Sequence, residues 1–174
     1  GGAAGVGRLV FTSSPSVVAT DHDLRGVDES QPYPSRYRAF YPETKAAAER
    51  DVLAAHGSGL RTISLRPHLI FGQGDTNLVP TILERARAGR LVQVGAGRNV
   101  VDLTFIDDCV SAHLLAAAAL EARPETGGRA YFISQGDPVP LWDWIARVLE
   151  LHGLPPLRRR VSAATAGMLA AAAE

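Results

Sequence analysis

Cysteine is almost absent from this chain. Cys109 stands alone, which excludes an intramolecular disulfide and suits a reducing compartment. Lysine is equally scarce: of the 18 Lys+Arg residues, 17 are Arg and only Lys45 is Lys. Charge of one sign is missing too, because 18 Asp+Glu balance those cations to a net charge of zero. That balance argues against a polybasic nucleic-acid binder. No apolar run approaches the roughly 18 residues of a membrane span. The most apolar stretch, 163–173, is short and Ala-rich. No signal-peptide pattern opens the sequence. Together these absences predict a cytoplasmic globular protein with no membrane span and no nucleic-acid partner.

What is present fits a folded domain. Hydrophobic residues make up 46% and charged residues 21% of 174 positions, enough for a core of ordinary size. The first residue is Gly1 and the last is Glu174, inside an apparent helix, so a fragment trimmed at both ends is expected.

The apolar run 8–13 (RLVFTS) reads as a buried parallel strand. Residues 17–34 are polar and Pro-containing, hence a loop. A helix is predicted over 42–56, stopped by Gly57 and Gly59. Another strand spans 61–65, and a Gly-containing turn covers 69–75. Asn77 is expected to cap a helix over 78–88. Residues 91–94 and 100–105, around Gly95-Ala96-Gly97, predict a hairpin or two short strands. Asp107 or Asp108 is expected to cap a helix through 110–120. A strand over 130–134, a helix over 141–151 opened by Pro140, and a last Ala-rich helix complete the reading. Strands alternating with helices predict an α/β fold with a mostly parallel sheet.

Three places carry chemistry. Tyr41 and Lys45 stand four apart on one helix face. An ammonium beside a phenol favours the phenolate, which suits the tyrosine to move a proton to or from an alcohol or carbonyl oxygen. Thr12-Ser13-Ser14 closes the first strand, where open parallel sheets hold their ligands. Arg66-Pro67-His68-Leu69-Ile70-Phe71-Gly72 closes the second. Each motif alone has a plain reading: a solvated Tyr and Lys, a turn-capping Ser. Their convergence on one sheet edge is more specific than any one of them.

As a set they resemble the second half of an extended short-chain dehydrogenase/reductase, in the 3-beta-hydroxysteroid dehydrogenase branch. The resemblance rests on Leu9-Val10-Phe11-Thr12-Ser13-Ser14, Tyr41-Pro42-Glu43-Thr44-Lys45, Leu65-Arg66-Pro67 and Val101-Asp102-Leu103-Thr104-Phe105-Ile106-Asp107-Asp108. Tyr131-Phe132-Ile133-Ser134 and Leu141-Trp142-Asp143-Trp144-Ile145 belong to it as well. Pro15-Ser16-Val17-Val18, Asp28-Glu29-Ser30 and Tyr33-Pro34 look like the bacterial members that reduce 2-alkyl-3-oxo acids. The similarity runs from Gly5 to about Pro156.

That resemblance implies a Rossmann-like doubly wound sheet, with residues 1–70 as the C-terminal half of the dinucleotide domain. Residues 71–174 would be mainly a substrate-binding region, some elements returning to the sheet. It implies NAD or NADP as cofactor. Tyr41 would be the proton donor or base, Lys45 would lower its pKa and bind the nicotinamide ribose, and Ser14 would orient the substrate oxygen. Thr12, Ser13, Pro67 and His68 would line the cofactor. Leu69 and Ile70 stand where sugar-nucleotide relatives often place Asn, so an apolar small molecule is favoured: a steroid or a 2-alkyl-3-oxo fatty acid. The resemblance also implies a homodimer.

The family's glycine fingerprint is missing. The glycines of residues 1–7 precede a strand instead of following one. The isolated chain is therefore expected to bind cofactor poorly and to be inactive. The rival readings are a sugar-nucleotide epimerase with the same Ser–Tyr–Lys set and a non-catalytic NAD(P)-binding scaffold.

Other features take plain readings. The five histidines show no metal-ligand spacing. No G-x-S-x-G surrounds Ser13 or Ser14. Cys109 reads as a buried small apolar residue, and at most one of Trp142 and Trp144 is expected to face the core. Arg158, Arg159 and Arg160 fit a solvated face, an anion contact or a strand start. The lone lysine falls where this chemistry calls for lysine, since a slim ammonium fits between a ribose and a phenol better than a planar guanidinium does.

Overall fold

The computed structural model of the chain describes residues 5–20, 22–57 and 59–162. In chain order the elements are β1 (Arg8–Thr12), a 3-10 turn (Pro15–Val18), α1 (Phe40–Ala54), β2 (Arg61–Pro67), β3 (Ile70–Phe71) and α2 (Leu78–Arg87). There follow β4 (Gln93–Val94), β5 (Val100–Val101), β6 (Thr104–Phe105), α3 (Ile106–Ala122), a 3-10 turn (Pro124–Thr126), β7 (Ala130–Ile133), β8 (Val139–Pro140), α4 (Leu141–Leu151) and β9 (Arg160–Val161). The expected Ala-rich final helix lies outside the described residues. None of the described helices is long and apolar enough to cross a membrane.

The chain divides into two compact units: Gly1–His68 with Thr104–Ser134, and Leu69–Leu103 with Gln135–Glu174. In the first unit, β1, β2 and β7 form a parallel sheet in the order β1-β2-β7. The central strand β2 is buried from Thr62 to Pro67, as expected for a parallel strand covered on both faces. Its residues alternate in destination. Ile63 and Leu65 point to α3, where they pack with Ala116 and Leu120. Ser64 and Arg66 point the other way, to α1, where both bond Glu49. On that face Ala46 packs with Val17 and Val18, flanked by Tyr33, Tyr37 and Phe132. The two helices thus cover opposite faces of the sheet.

The second unit is built around α2 and α4. Leu141, Ile145, Val148 and Leu149 repeat at helical spacing and pack on Ile82, Leu83 and Leu91. Short strands frame them: β4 pairs with β9 in parallel, and β5 with β8 antiparallel. Of the two readings of residues 91–105, short strands hold and the hairpin does not, because β4 and β5 each pair with segments that lie far along the chain. Trp142 and Trp144 both pack against this cluster, and Trp144 also meets Phe71 edge-on with ring centroids 5.5 Å apart. Both tryptophans are partly buried, so neither stands fully inside the core. Of the three readings of the arginine run, Arg160 opens β9, while Arg159 donates to the Gly89 carbonyl at 2.7 Å.

Two expected caps are also corrected. Asn77 makes no side-chain capping bond. Asp75 does the work instead, its carboxylate accepting from the amides of Asn77, Leu78 and Val79 at 2.8–2.9 Å. Neither Asp107 nor Asp108 caps α3, because the helix begins one residue earlier and places both in its first turn. There they complement the helix dipole without capping.

Candidate active site at the carboxyl edge of the sheet

Because the three strands of the first unit are parallel, their carboxyl ends share one edge. Thr12 lies opposite Leu65. Beyond it the Ser13 amide donates to the Leu65 carbonyl at 2.7 Å, and the His68 amide donates to the Ile133 carbonyl at 3.0 Å. Thr12, Ser13 and Ser14 therefore sit beside Pro67 and His68, on the edge where open α/β sheets place ligands.

Helix α1 brings Lys45 to this edge. Its Nζ donates to the Thr12 carbonyl at 2.7 Å, and the ammonium lies 4.6 Å from the centroid of the Phe11 ring. A hydrogen bond to strand backbone and a cation–π contact hold the charge at the strand end. Tyr41 is one turn nearer the helix start and 60% exposed, so its hydroxyl is accessible. It lies within the first turn, behind the extended N-cap residue Ala39. Pro42 is tolerated there because the first amides of a helix have no intrahelical acceptor.

Ser14 caps the 3-10 turn: its Oγ accepts from the Ser16 amide at 3.2 Å and lies 2.9 Å from the Ser16 hydroxyl. Thr12 is exposed, and its hydroxyl lies 2.7 Å from His113 Nε2. Ser13 is buried on the Glu49 side. Leu69 and Ile70 belong to the second unit. Leu69 holds a left-handed backbone with φ +26°, an uncommon conformation for a bulky residue, and Ile70 opens β3.

Beneath the lysine lies a buried polar cluster that the sequence reading did not find. Glu49 follows Lys45 by four residues on α1 and is fully buried. It accepts from Arg66 Nη2 at 2.6 Å, from the Ser64 hydroxyl at 2.6 Å and from the Tyr33 hydroxyl at 2.6 Å. Burial alone would raise the Glu49 carboxyl. The bonds from Arg66, Ser64 and Tyr33 overturn that and hold it below the usual glutamate value. Tyr33 is pushed up to about 12, first by burial and then by the Glu49 carboxylate. Arg66 also stacks near the Phe132 ring, 5.2 Å from its centroid. A signal for the cluster exists in the sequence: Thr62-Ile63-Ser64-Leu65-Arg66 alternates polar and apolar in a strand that must be buried on both faces, so its polar side needs an internal partner.

Among the described residues no group of three His, Cys, Asp or Glu is placed to hold a metal. Cys109 is 5% exposed, and burial raises its thiol, so it is a small core residue and not a nucleophile.

A Rossmann-type parallel sheet whose α1 carries Lys45 to the carboxyl end of β1, one helical turn after Tyr41, fits the extended short-chain dehydrogenase/reductase class. Within it, the chain belongs to the 3-beta hydroxysteroid dehydrogenase/isomerase family, whose model matches residues 2–161. It is 45% identical over 174 residues to the 2-alkyl-3-oxoalkanoate reductase of Stenotrophomonas maltophilia, covering 99% of this chain and 53% of that protein. It is 40% identical over 149 residues to the human sterol-4-alpha-carboxylate 3-dehydrogenase, decarboxylating, covering 84% and 40%. Among solved structures, MoeE5 in complex with UDP-glucose and NAD superposes with a TM-score of 0.70 at 30% identity, covering 93% of this chain and 54% of that one. The chain spans about half the length, or less, of these relatives.

Proposed function

We propose that this chain is the catalytic and substrate-binding half of an NAD(P)-dependent oxidoreductase that interconverts a 3-hydroxy and a 3-oxo group on an apolar substrate. The observation that carries the proposal is the tether of Lys45 Nζ to the Thr12 carbonyl, one helical turn from Tyr41 and on the sheet edge that bears Ser14. A pure scaffold needs no such proton-moving pair.

These residues fit the nicotinamide end of a dinucleotide. A fixed ammonium and the exposed Thr12 hydroxyl offer polar partners to a ribose, and Pro67 with His68 supplies a wall. The bound nicotinamide supplies or accepts the hydride. This chain's residues do the remainder. Lys45 stabilises negative charge on the Tyr41 oxygen. Tyr41 delivers its proton to the substrate oxygen as a carbonyl becomes an alcohol, and takes it back in the reverse direction. Ser14 donates to that same oxygen and fixes its position.

The names of two relatives narrow the substrate. A 2-alkyl-3-oxoalkanoate and a sterol 4-carboxylate both carry a carboxylate on the carbon next to position 3. We assign the same pattern here: a long apolar body, position 3 as the reacting carbon, and an adjacent carboxylate. The sugar-nucleotide reading draws on MoeE5, but that likeness is 30% against 45% for the oxoalkanoate reductase.

The test uses the complete enzyme that contains this chain. NADPH absorbance is followed with a 2-alkyl-3-oxo acid, a 3-oxosteroid and a UDP-sugar. The acid is expected to turn over fastest, and Tyr41→Phe to lower the rate by about 10²–10⁴-fold. Lys45→Arg, although charge-neutral, is expected to lose most of the rate as well. An unchanged rate in Tyr41→Phe would overturn the tyrosine assignment. Cofactor binding without turnover of any substrate would favour a scaffold.

A further inference from the structure

We infer that His113, on α3, is a positioning residue for the Tyr41–Lys45 pair, acting through Thr12 from the opposite face of the sheet. This inference rests on the proton-transfer reading proposed above.

The hydrogen bonds around His113 leave one neutral arrangement. Nδ1 lies 2.7 Å from the Cys109 carbonyl oxygen. A carbonyl only accepts, so Nδ1 carries the hydrogen. In the neutral ring Nε2 is then bare and must accept, and its partner at 2.7 Å is the Thr12 hydroxyl. The hydroxyl hydrogen of Thr12 is thereby committed to His113. What Thr12 Oγ1 offers outward, from an exposed position, is lone pairs alone.

Thr12 is also the residue whose carbonyl receives the Lys45 ammonium, at 2.7 Å. One residue at the end of β1 is thus gripped twice: its side chain by α3 and its backbone by α1. These helices cover opposite faces of the sheet and share no hydrophobic cluster. A residue at a strand end has conformational freedom to lose, and the two bonds on Thr12 remove it. Two consequences follow for the chemistry. Lys45 keeps its acceptor, so its charge stays at the strand end, one helical turn from Tyr41. The Thr12 hydroxyl becomes an obligate acceptor, suited to a ligand group that donates, such as a ribose hydroxyl or a carboxamide N–H.

A ring that served only to fill space would be replaced by any apolar group of its size. A positioning ring requires an acceptor at the Nε2 position. His113→Leu removes the acceptor, while His113→Gln restores one at similar reach. Thr12→Val removes the hydroxyl from the other side without touching α3, and Thr12→Ser keeps it.

The experiment uses the complete enzyme containing this chain, with kcat and KM measured for each variant. His113→Leu and Thr12→Val are each expected to lower kcat about 10- to 100-fold, the scale of a misplaced catalytic group, with substrate KM changed far less. The double variant is expected to be no worse than either single one, because both cut the same link. His113→Gln and Thr12→Ser should recover most of the rate. The inference is overturned if His113→Leu stays within twofold of the parent, if Gln is as poor as Leu, or if the double variant shows multiplied losses. Tyr41→Phe is run in parallel. Should it remain fully active, the proton-transfer reading falls and this inference with it. Should it be inactive while His113→Leu is not, this inference alone is lost.

Discussion

Glu49 and Arg66 form an ion pair shut away from solvent, with Oε1 and Nη2 2.6 Å apart and the residues 0% and 3% exposed. The pair ties the middle of α1 to the carboxyl end of β2. Both elements lead to proposed site residues, Lys45 one helical turn before Glu49 on α1 and His68 just past the end of β2. The rigidity of the site is therefore set partly by a contact that touches no ligand.

Removing one partner strands the other. Glu49→Gln leaves a guanidinium buried without its counter-charge, and the expected loss is about 3–5 kcal/mol of unfolding free energy. Arg66→Met is expected to cost a similar amount, because it leaves a buried carboxylate. The double variant should cost clearly less than the sum of the two, since neither charge is then left alone. Chemical denaturation of the three variants measures this. Additive losses would show that the two residues do not act as a pair.

The same cluster sets a pH dependence. The folded Glu49 carboxyl titrates below its ordinary value of 4.5. Its contribution is therefore complete above pH 4.5 and is lost as the pH falls through the lower, folded value. Tyr33 behaves in the opposite sense. Its folded value is raised from 10 to about 12, so its contribution holds below pH 10 and fades as the pH rises through 12. Melting temperature recorded from pH 3 to pH 7 should fall towards the acid end. Glu49→Gln should flatten that slope. A parent-like acid slope in the variant would place the responsible carboxylate elsewhere.

Much of the sheet is legible in the sequence. Residues 8–13, 61–65 and 130–134 are short apolar runs bounded by Gly or Pro, and they appear as β1, β2 and β7 with shifts of one or two residues at their ends. Helix α4 begins after Pro140 and is followed closely by Gly153, as its sequence suggests. Lys45 and Thr12 could be expected near one another because Thr12 closes a parallel strand and Lys45 lies near the start of the helix that follows. The two-residue strands could not be paired, since they are too short to show a period and their partners are remote. The Glu49 cluster escaped notice for another reason. A glutamate on an Ala-rich helix reads as a surface residue until the strand opposite it is known. His113 is similar: nothing local marks it, and its meaning comes from a contact with a residue 101 positions away.

Helix α2 offers a direct contest between pattern and geometry. Asn77 occupies the N-cap position yet makes no capping bond. Asp75 accepts three amide bonds, which outweigh its burial and lower its carboxyl. Asp75→Ala is therefore expected to destabilise the protein by about 0.5–2 kcal/mol, the usual worth of a helix cap. Asn77→Ala should change little. Equal losses for the two variants would contradict the assignment of the cap to Asp75.

Gly127 is small because His56 leaves it no room. A Cβ at position 127 would run into Cε1 of the His56 ring. The backbone there has an ordinary negative φ, so the demand is steric and not conformational. The ring cannot simply swing aside, because its Nδ1 accepts the Thr62 amide at 3.0 Å. Thr62 belongs to the central strand and is fully buried, so losing that bond would leave a buried amide unsatisfied. Gly127→Ala is expected to cost about 1–3 kcal/mol through this overpacking. His56→Ala removes the obstacle together with the acceptor and is destabilising in its own right. In that background Gly127→Ala should cost almost nothing further. A double-mutant cycle in urea measures the coupling. If Gly127→Ala costs as much without the imidazole as with it, the steric account of this glycine is wrong.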